Sequence, residues 1–508
     1  LKKETQYLYS LTLLYLIVSV IGILHHELWL DEAHHWLLSR DSTSLLDLIK
    51  NARYEGHPIL WNVLLFGITR LTLNPIWMQF LHIGIATAAV FVFLKKAPFP
   101  WIFKILFIFG YFMIFEYNLI SRNYILGVLF LFLACSVYEK RAEKFTLLCF
   151  YLALAANVHL IFVVLAFALF LTLLMEQLQQ KKLFQKADFN WGYLIFSSGL
   201  LVACLQIIPP TDTAFFNRID ELAFHEKFTK GFIALFKGLL PIPDFRNFHF
   251  WNTNLLVDLN KSISAIVGLL CYGIPFLFFY KNKTVLFFVY IALLGVTIFF
   301  FFTQMSATRY DGTTYILFIS ALWIAKYYPS DSNRIQLPFS LLKKTMLYSI
   351  LSIQFLSGIY AYAMDYQFSF SPSKEVVTFL KEKNLATKPI VCVTCDGTAI
   401  SPYLEKKIFF LCDGSEQSFC HWNFNCAMNI SDAEIQQALI SYMTTHNEAV
   451  YVSNYPIFKN KFISDWIALS ETVEVRYLKS FDHSILRNSA YYIYEIEKRK
   501  VTFKSTCL

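Results

Sequence analysis

The chain is 508 residues long, 56 % hydrophobic and only 16 % charged, with 52 Phe, 29 Tyr and a formal net charge of +8. Soluble domains carry about 25 % charged residues. Here the shortfall sits in long apolar runs, which excludes an ordinary soluble globule and points to a polytopic membrane protein. Most Lys and Arg stand in short loops between those runs, a pattern that orients membrane proteins and speaks against nucleic acid as a partner.

In chain order, Lys2 and Lys3 precede the first apolar run, 8–24, which continues into HHELW without a small-residue cleavage site. It reads as an anchor rather than a removed signal peptide. A polar loop, 25–58, follows. It carries the acidic pair Asp31-Glu32, then His34 and His35, then an amphipathic stretch at 44–52, and finally Glu55-Gly56-His57-Pro58 at the return to apolar sequence. In the amphipathic stretch Leu45, Leu46, Leu48 and Ile49 are expected to face one way, onto the bilayer surface.

Further apolar segments run roughly over 59–73, 75–94, 101–115, 123–138, 145–157, 159–175, 191–208, 255–279, 285–302, 310–326 and 340–361, with 209–254 read as one long loop. The composition changes near 365, so the chain divides into a membrane part, 1–364, and a C-terminal domain, 365–508. In the latter, KEVVTFLKEKN and DAEIQQALISYMTT are helical by pattern. PIVCVTC, EAVYVSN and AYYIYEIEK are strand-like, which predicts a small α/β domain.

Six of the ten cysteines (Cys392, Cys395, Cys412, Cys420, Cys426 and Cys507) fall in that domain. An even set in a polar domain predicts an oxidising compartment and up to three disulfides, with zinc at the Cys392–Cys395 pair as the sharper alternative and free thiols as the third. Sidedness follows from the basic clusters. With Lys2 and Lys3 in the cytoplasm, Lys95–Lys96, Lys140–Lys144 and Lys181–Lys186 all become cytoplasmic if 59–94 crosses only once, its first part dipping into the membrane or lying obliquely. About eleven crossings result, and the cysteine-bearing domain lies outside.

Carboxylates at a membrane surface persist where they are solvated, paired or functional. Asp31 or Glu32 can take a proton from an acceptor hydroxyl; the plainer reading makes Asp31 the N-cap of EAHHWLLS. His34 and His35 lie at helical spacing from Asp31, so a divalent metal is compatible, with these two as its candidate ligands. His57 sits at a helix entrance, where Pro58 fits a first turn, and can donate to a phosphate. Arg122 and Arg309 open apolar runs and would stand at the membrane edge, where a bidentate fork suits a lipid phosphate. Asp311, two residues on, is placed to neutralise Arg309.

An acidic pair after the first membrane helix, an amphipathic loop and an H-P-x-L return resemble the membrane glycosyltransferases of the C superfamily, among them the protein O-mannosyltransferases and the lipid A aminoarabinose transferase. EYNLISRNY is similar to that family's acidic-x-x-Arg-x-Tyr stretch, giving Glu116, Arg122 and Tyr124. Asn157-Val158-His159 stands where relatives carry a polar residue or His, and SATRYDG resembles a late Arg-aromatic-x-Gly motif. The resemblance implies the GT-C fold of about 11–13 membrane helices with an extracytoplasmic C-terminal α/β domain, in a bacterial inner membrane with the site on the periplasmic side. It implies an inverting transfer from a polyprenyl-phosphate sugar to a hydroxyl on protein, lipid or glycan. Asp31 (or Glu32) would be the base, and Glu55, His57, Glu116, Arg122, Tyr124, His159 and Arg309 would line the donor phosphate. The alternative is a non-enzymatic transporter or flippase of a lipid-linked sugar, favoured by polar residues inside the membrane part but not by an acidic pair in a surface loop.

Overall fold

The apolar part of the chain folds as helices and the mixed C-terminal part as a helix-flanked sheet. A computed structural model describes residues 2–180, 187–213, 224–303, 307–328, 340–422, 426, 431–457, 465–487 and 489–499. The Lys181–Lys186 cluster, Ser306 and Cys507 lie outside the described residues. Among the described residues the apolar part contains α1 (Lys2–Ile23), α2 (Leu30–Asp41), α3 (Leu45–Ala52), α4 (Leu60–Thr69), α5 (Ile76–Lys96), α6 (Trp101–Ile108), α7 (Tyr124–Val137), α8 (Phe145–Ala156), α9 (Leu160–Gln179), α10 (Ala187–Ile207), α11 (Phe224–Leu239), α12 (Leu255–Leu259), α13 (Lys261–Cys271), α14 (Gly273–Phe279), α15 (Lys283–Thr303), α16 (Thr308–Ala325) and α17 (Ser340–Gln367).

Six of these stretches are long and apolar enough to cross a membrane: α1, α5, α9, α13 with α14, α15, and α17. The expected segments 59–73, 101–115, 123–138 and 145–157 instead form helices of only 10, 8, 14 and 12 residues (α4, α6, α7 and α8). An apolar run does not show where its helix breaks. The third of the expected segments after the loop, for example, stops at Ile108 and resumes as a π-helical turn, Phe112–Glu116.

At 1.5 Å per residue α4 is about 15 Å long, half of a bilayer's apolar core. Its two ends are tied to neighbours of the polar loop. The Leu60 N–H donates to the Asn157 carbonyl at 3.3 Å, and Arg70 donates to the Ser39 and Ser42 carbonyls at 3.2 and 3.3 Å. Thus α4 lies along α2. In contrast α5 starts beside the loop, with Gln79 Nε2 donating to the His26 carbonyl at 3.2 Å, and carries Lys95 and Lys96 to its other end.

Two expectations are corrected here. Residues 209–254 contain the helix α11, which packs against α13, α15 and α16. Its lysines hid it from a search for apolar runs, yet Lys237 is buried and pairs with Asp311 at 2.8 Å. Gly238 allows the close approach: a Cβ there would collide with Thr314 and the Asp311 carbonyl. In α3, Leu45, Leu46 and Ile49 are exposed, but Leu48 turns inward with Ala52 to pack on Leu38 and Ile59.

After α17 come α18 (Ser373–Glu382), β1 (Ile390–Cys392), α19 (Ser401–Leu404), β2 (Ile408–Phe410), β3 (Ser415–Gln417), α20 (Asp432–Tyr442), β4 (Glu448–Ser453), β5 (Ile467–Ala468), β6 (Val473–Phe481) and β7 (Tyr491–Lys498). The sheet order is β3-β2-β1-β4-β7-β6-β5, with β1 parallel to β2 and β4 and the remaining pairs antiparallel. Alternation along β4 sends Val450 and Val452 to the α18 face and Ala449 and Tyr451 to the α20 face. The short strands β2, β3 and β5 carry too few residues to show alternation. In β6 a register shift at Tyr477/Lys479 interrupts it.

Two disulfides close the loops after β1 and β2: Cys395–Cys420 and Cys412–Cys426. Cys392 is a free, buried thiol of the core, so the Cys392–Cys395 zinc pairing is overturned. The bridged segment sits on the polar loop 25–58. Cys395, Cys420 and Cys426 cluster with Leu30, and Phe419 packs against Leu38 and Ile59. Tyr403 Oη accepts from the Leu28 N–H at 2.9 Å, and Ser418 Oγ donates to the Asp41 carboxylate.

Candidate functional site

The first turn of α2 presents two carboxylates in opposite directions. The N-cap is Trp29, not Asp31, and the carboxylate that serves the helix start is Glu32, which accepts from the Trp29 N–H at 3.2 Å. Glu32 is fully buried. It also accepts from the Ser121 N–H at 2.5 Å and from His26 Nε2 at 3.1 Å. His26 Nδ1 in turn reaches both oxygens of Asp365, at the end of α17, at 2.9 and 3.1 Å. Burial opposes a charged His26, but Asp365 and Glu32 outweigh it and hold the imidazole well above the usual histidine range. A buried imidazolium between two carboxylates therefore ties the exit of α1 to α2, to the 116–122 segment and to α17.

Asp31 points the other way and its side chain keeps 23 % exposure. Its Oδ2 pairs with Arg122 Nη1 and, at 3.4 Å, with Arg309 Nη2. The three residues come from the polar loop, the start of α7 and the start of α16. Arg122 is aimed by its backbone: His82 stands between two carbonyls, with Nδ1 3.0 Å from that of Asn118 and Nε2 2.9 Å from that of Arg122, while the Arg122 N–H donates to the Ile120 carbonyl at 2.8 Å. Both guanidinium groups lie over Trp29, at 5.8 and 5.3 Å, and Arg309 also lies 4.9 Å from the Tyr310 ring and 5.9 Å from Trp251. The expectation that Asp311 neutralises Arg309 is overturned, because Asp311 pairs with Lys237.

Two cations thus share one carboxylate, and the Nε–H groups of Arg122 and Arg309 are buried with no acceptor. Unmet donors in a low-dielectric site are costly, and an anion with several oxygens would satisfy them. No family model and no curated protein matches the chain.

Next to this cluster Glu116, at the end of the π-helical turn, accepts from Trp251 Nε1 at 3.0 Å and Tyr111 Oη at 3.3 Å. Burial pushes its carboxyl up to about 7, against the opposing charge of Arg309. Tyr124 Oη lies 3.3 Å from His159 Nε2, and the Tyr124 ring lies 5.9 Å from that of Tyr310. His159 caps α9 by accepting from the Ile161 N–H at Nδ1, 3.2 Å, so Nε2 carries the proton. The His159 ring stands 5.6 Å from His57, and His57 stands 5.3 Å from His35.

Gly56, at φ +66°, turns the chain sharply between Glu55 and His57 and brings both under α2. Glu55 Oε1 contacts His34 Nε2 at 2.6 Å, and Glu55 Oε2 lies 3.9 Å from His57 Nε2. Burial would raise the Glu55 carboxyl, but His34 outweighs it and holds it well below the usual range. Burial and then Arg122 keep His35 well below the usual histidine value, and burial with Arg122 keeps His57 below it against the pull of Glu55. The metal-ligand geometry falls on His35, Glu55 and His57, with His34 as a hydrogen-bond partner of Glu55 rather than a ligand. Cys412, Asp413 and Cys426 also lie close together, but those cysteines are bonded to each other.

All eleven residues singled out in the sequence therefore meet in one linked region, although they span positions 31 to 309. Their roles divide differently from expectation: Glu32 is enclosed by donors and Asp31 is open. Trp29, Trp251, Tyr310, Asn62, His26 and Asp365 were missed. Trp29 adjoins the acidic pair and carried a local signal. Trp251, inside a segment read as loop, and Asp365, 339 residues from its partner, carried none.

Beside the site runs an apolar groove of about 600 Å³ between α4, α8 and α10, lined by Ile49, Val63, Phe150, Leu154, Ile195 and Val202. Its polar end is marked by Asn157 and Gln206, and Gln206 Oε1 accepts from the Ile59 N–H at 2.9 Å. Ile59 and Asn157, both bonded to Gln206, lie within two residues of His57 and His159, so the groove ends beside the histidine cluster.

Proposed function

We propose that this protein is an integral membrane glycosyltransferase of the GT-C type that moves one sugar, with inversion, from a polyprenyl phosphate to a hydroxyl of a protein, lipid or glycan. The observation that carries the reading is the meeting of Asp31 with two buried guanidinium groups whose Nε–H donors are unmet. The adjoining apolar groove supports a lipid-linked donor, since a prenyl chain needs an apolar channel that reaches the phosphate.

In this reaction the acceptor hydroxyl gives its proton to the Asp31 carboxylate while its oxygen bonds to the anomeric carbon. The bond from that carbon to the phosphate oxygen breaks, and the lipid monophosphate leaves with both electrons of that bond. Negative charge builds on the departing oxygen, where Arg122 and Arg309 stabilise it more than in the ground state. Binding of the donor phosphate would draw the guanidinium groups from Asp31 and free it to act as base. Trp29, Trp251 and Tyr310 hold the guanidinium planes in place through their ring faces.

The membrane part would cross about eleven times, with the loop 25–58 and the C-terminal domain on the extracytoplasmic side. The disulfides suit an oxidising compartment. The shortness of α4 and its course along α2 suit a dip rather than a crossing. The test is release of free polyprenyl phosphate from a polyprenyl-phosphate sugar by purified protein in detergent. Arg122→Ala and Arg309→Ala should each weaken donor binding and slow turnover together, with Lys rescuing only part, because Lys offers a point charge in place of a fork. Wild-type protein that binds the donor but releases no phosphate across acceptors would leave a transporter as the better reading.

A further inference from the structure

His35, Glu55 and His57 each offer a ligand atom, and the three atoms lie within 4.8 Å of one another. Their hydrogen bonds decide which nitrogens are free. His57 Nδ1 donates to the Pro58 carbonyl at 3.1 Å, which leaves Nε2 as a bare lone pair, buried and without a partner. That lone pair faces Glu55 Oε2 at 3.9 Å, too far for a hydrogen bond. A lone pair opposite a carboxylate is repulsive unless a cation stands between them. Two ligands each about 2.1 Å from a tetrahedral ion are roughly 3.4 Å apart, so a small closure of this gap would bind one.

His35 shows the same arrangement. The Asn62 amide is oriented by its Nδ2 donors toward Ser39 Oγ, 3.3 Å, and the His35 carbonyl, 3.4 Å. Its Oδ1 therefore accepts from His35 Nδ1 at 3.2 Å and leaves Nε2 as the ligating nitrogen. Donation from the far ring nitrogen to a fixed oxygen is the arrangement that orients metal-bound histidines and raises their basicity. His34 orients the remaining ligand by its bond to Glu55 Oε1. Phe419 and Trp422 of the C-terminal domain pack their rings 6.1 and 5.9 Å from His34, and the ligating histidines are almost wholly buried.

We propose that His35, Glu55 and His57 form a site for one divalent transition-metal ion, zinc foremost. Two imidazoles and one carboxylate suit zinc rather than the oxygen-seeking magnesium or calcium. Three protein ligands leave a position for water or a substrate oxygen. The site stands on these side chains alone. Only its use rests on the glycosyl-transfer reading, in which the ion would add a further positive charge beside Arg122 and His57 would reach the phosphate through it.

The full-length protein, purified in detergent and stripped with a chelator, is titrated with Co²⁺. Ligand-field absorption in the visible range and the metal content after desalting are then measured. Wild type should hold close to one Co²⁺ per chain, displaced by one Zn²⁺, and needs no variant to give that result. Glu55→Gln and His57→Ala should lose binding at least tenfold, whereas His446→Ala, far along the chain on the sheet domain, should retain it. Less than a tenth of an ion in wild type, or undiminished binding in both ligand variants, overturns the proposal. Polyprenyl phosphate release is scored on the same samples as a separate result: metal bound without release rejects the glycosyl-transfer reading alone, and release without metal rejects the site alone.

Discussion

Asp31 and Glu32 are adjacent residues of the same helical turn, and the two charge clusters they head differ in one respect, closure. Around Glu32 the count is complete: two carboxylates share one imidazolium, all at or below 1 % side-chain exposure, and the Ser121 N–H fills the remaining oxygen of Glu32. Around Asp31 the count is open: two cations share one carboxylate, solvent reaches the carboxylate, and two guanidinium donors are unmet. A closed buried network fixes geometry and loses heavily when one partner is removed. An open one leaves donors unmet that a ligand with several oxygens would satisfy. On the proposed glycosyl-transfer reading this contrast gives Glu32 a structural part and Asp31 the chemistry, which sequence adjacency alone cannot do.

The largest expected effect is on the closed cluster. Glu32→Gln removes the charge opposite His26 and should cost roughly 3–5 kcal/mol of stability, as for a broken buried pair. The check is thermal unfolding in detergent beside turnover per folded molecule. A fully stable Glu32→Gln protein with collapsed turnover would reverse the two assignments.

Asp31→Asn should lower turnover by at least ~10²-fold, equivalent to about 2.7 kcal/mol in the barrier. Its melting temperature should stay near wild type and its donor affinity should be little changed. Turnover within a few-fold of wild type would place the base elsewhere.

The smallest effect sharpens the contrast through pH. Burial raises Glu116 from 4.5 to about 7, so between these values the folded state keeps a proton that the unfolded chain has released. Stability from this group is present at the acid end and is lost as pH rises through the window. Glu116→Gln should flatten the fall in melting temperature between about pH 5 and 7; an unchanged slope would mean that Glu116 titrates normally.

The C-terminal sheet offers a second contrast. The helices α18 and α20 and the strands β4 and β7 were legible because each carries enough residues for a period to show, whereas the nine-residue β6 was missed because a register shift at Tyr477/Lys479 interrupts its alternation. The three-residue strands β2 and β3 exist because neighbours in the sheet complete their hydrogen bonds. Which cysteines pair was equally out of reach: Cys395 is three residues from Cys392 yet bonds Cys420, because the turn after β1 carries it away from the core thiol.

Composition alone determined the apolar, helix-rich class, the change of character near 365, and the placing of Asp31, Arg122, Arg309, His57 and His159 at the ends of apolar segments, since charge and hydropathy are local properties. Tertiary structure alone decided that α4 lies along α2, that α11 exists, and that Lys237 rather than Arg309 takes Asp311. It also decided that one member of the acidic pair is enclosed and the other open. The physical reason is the same in each case: a buried charge takes whichever partner the packed helices bring within reach, and that partner's distance along the chain has no bearing on the energy of the contact.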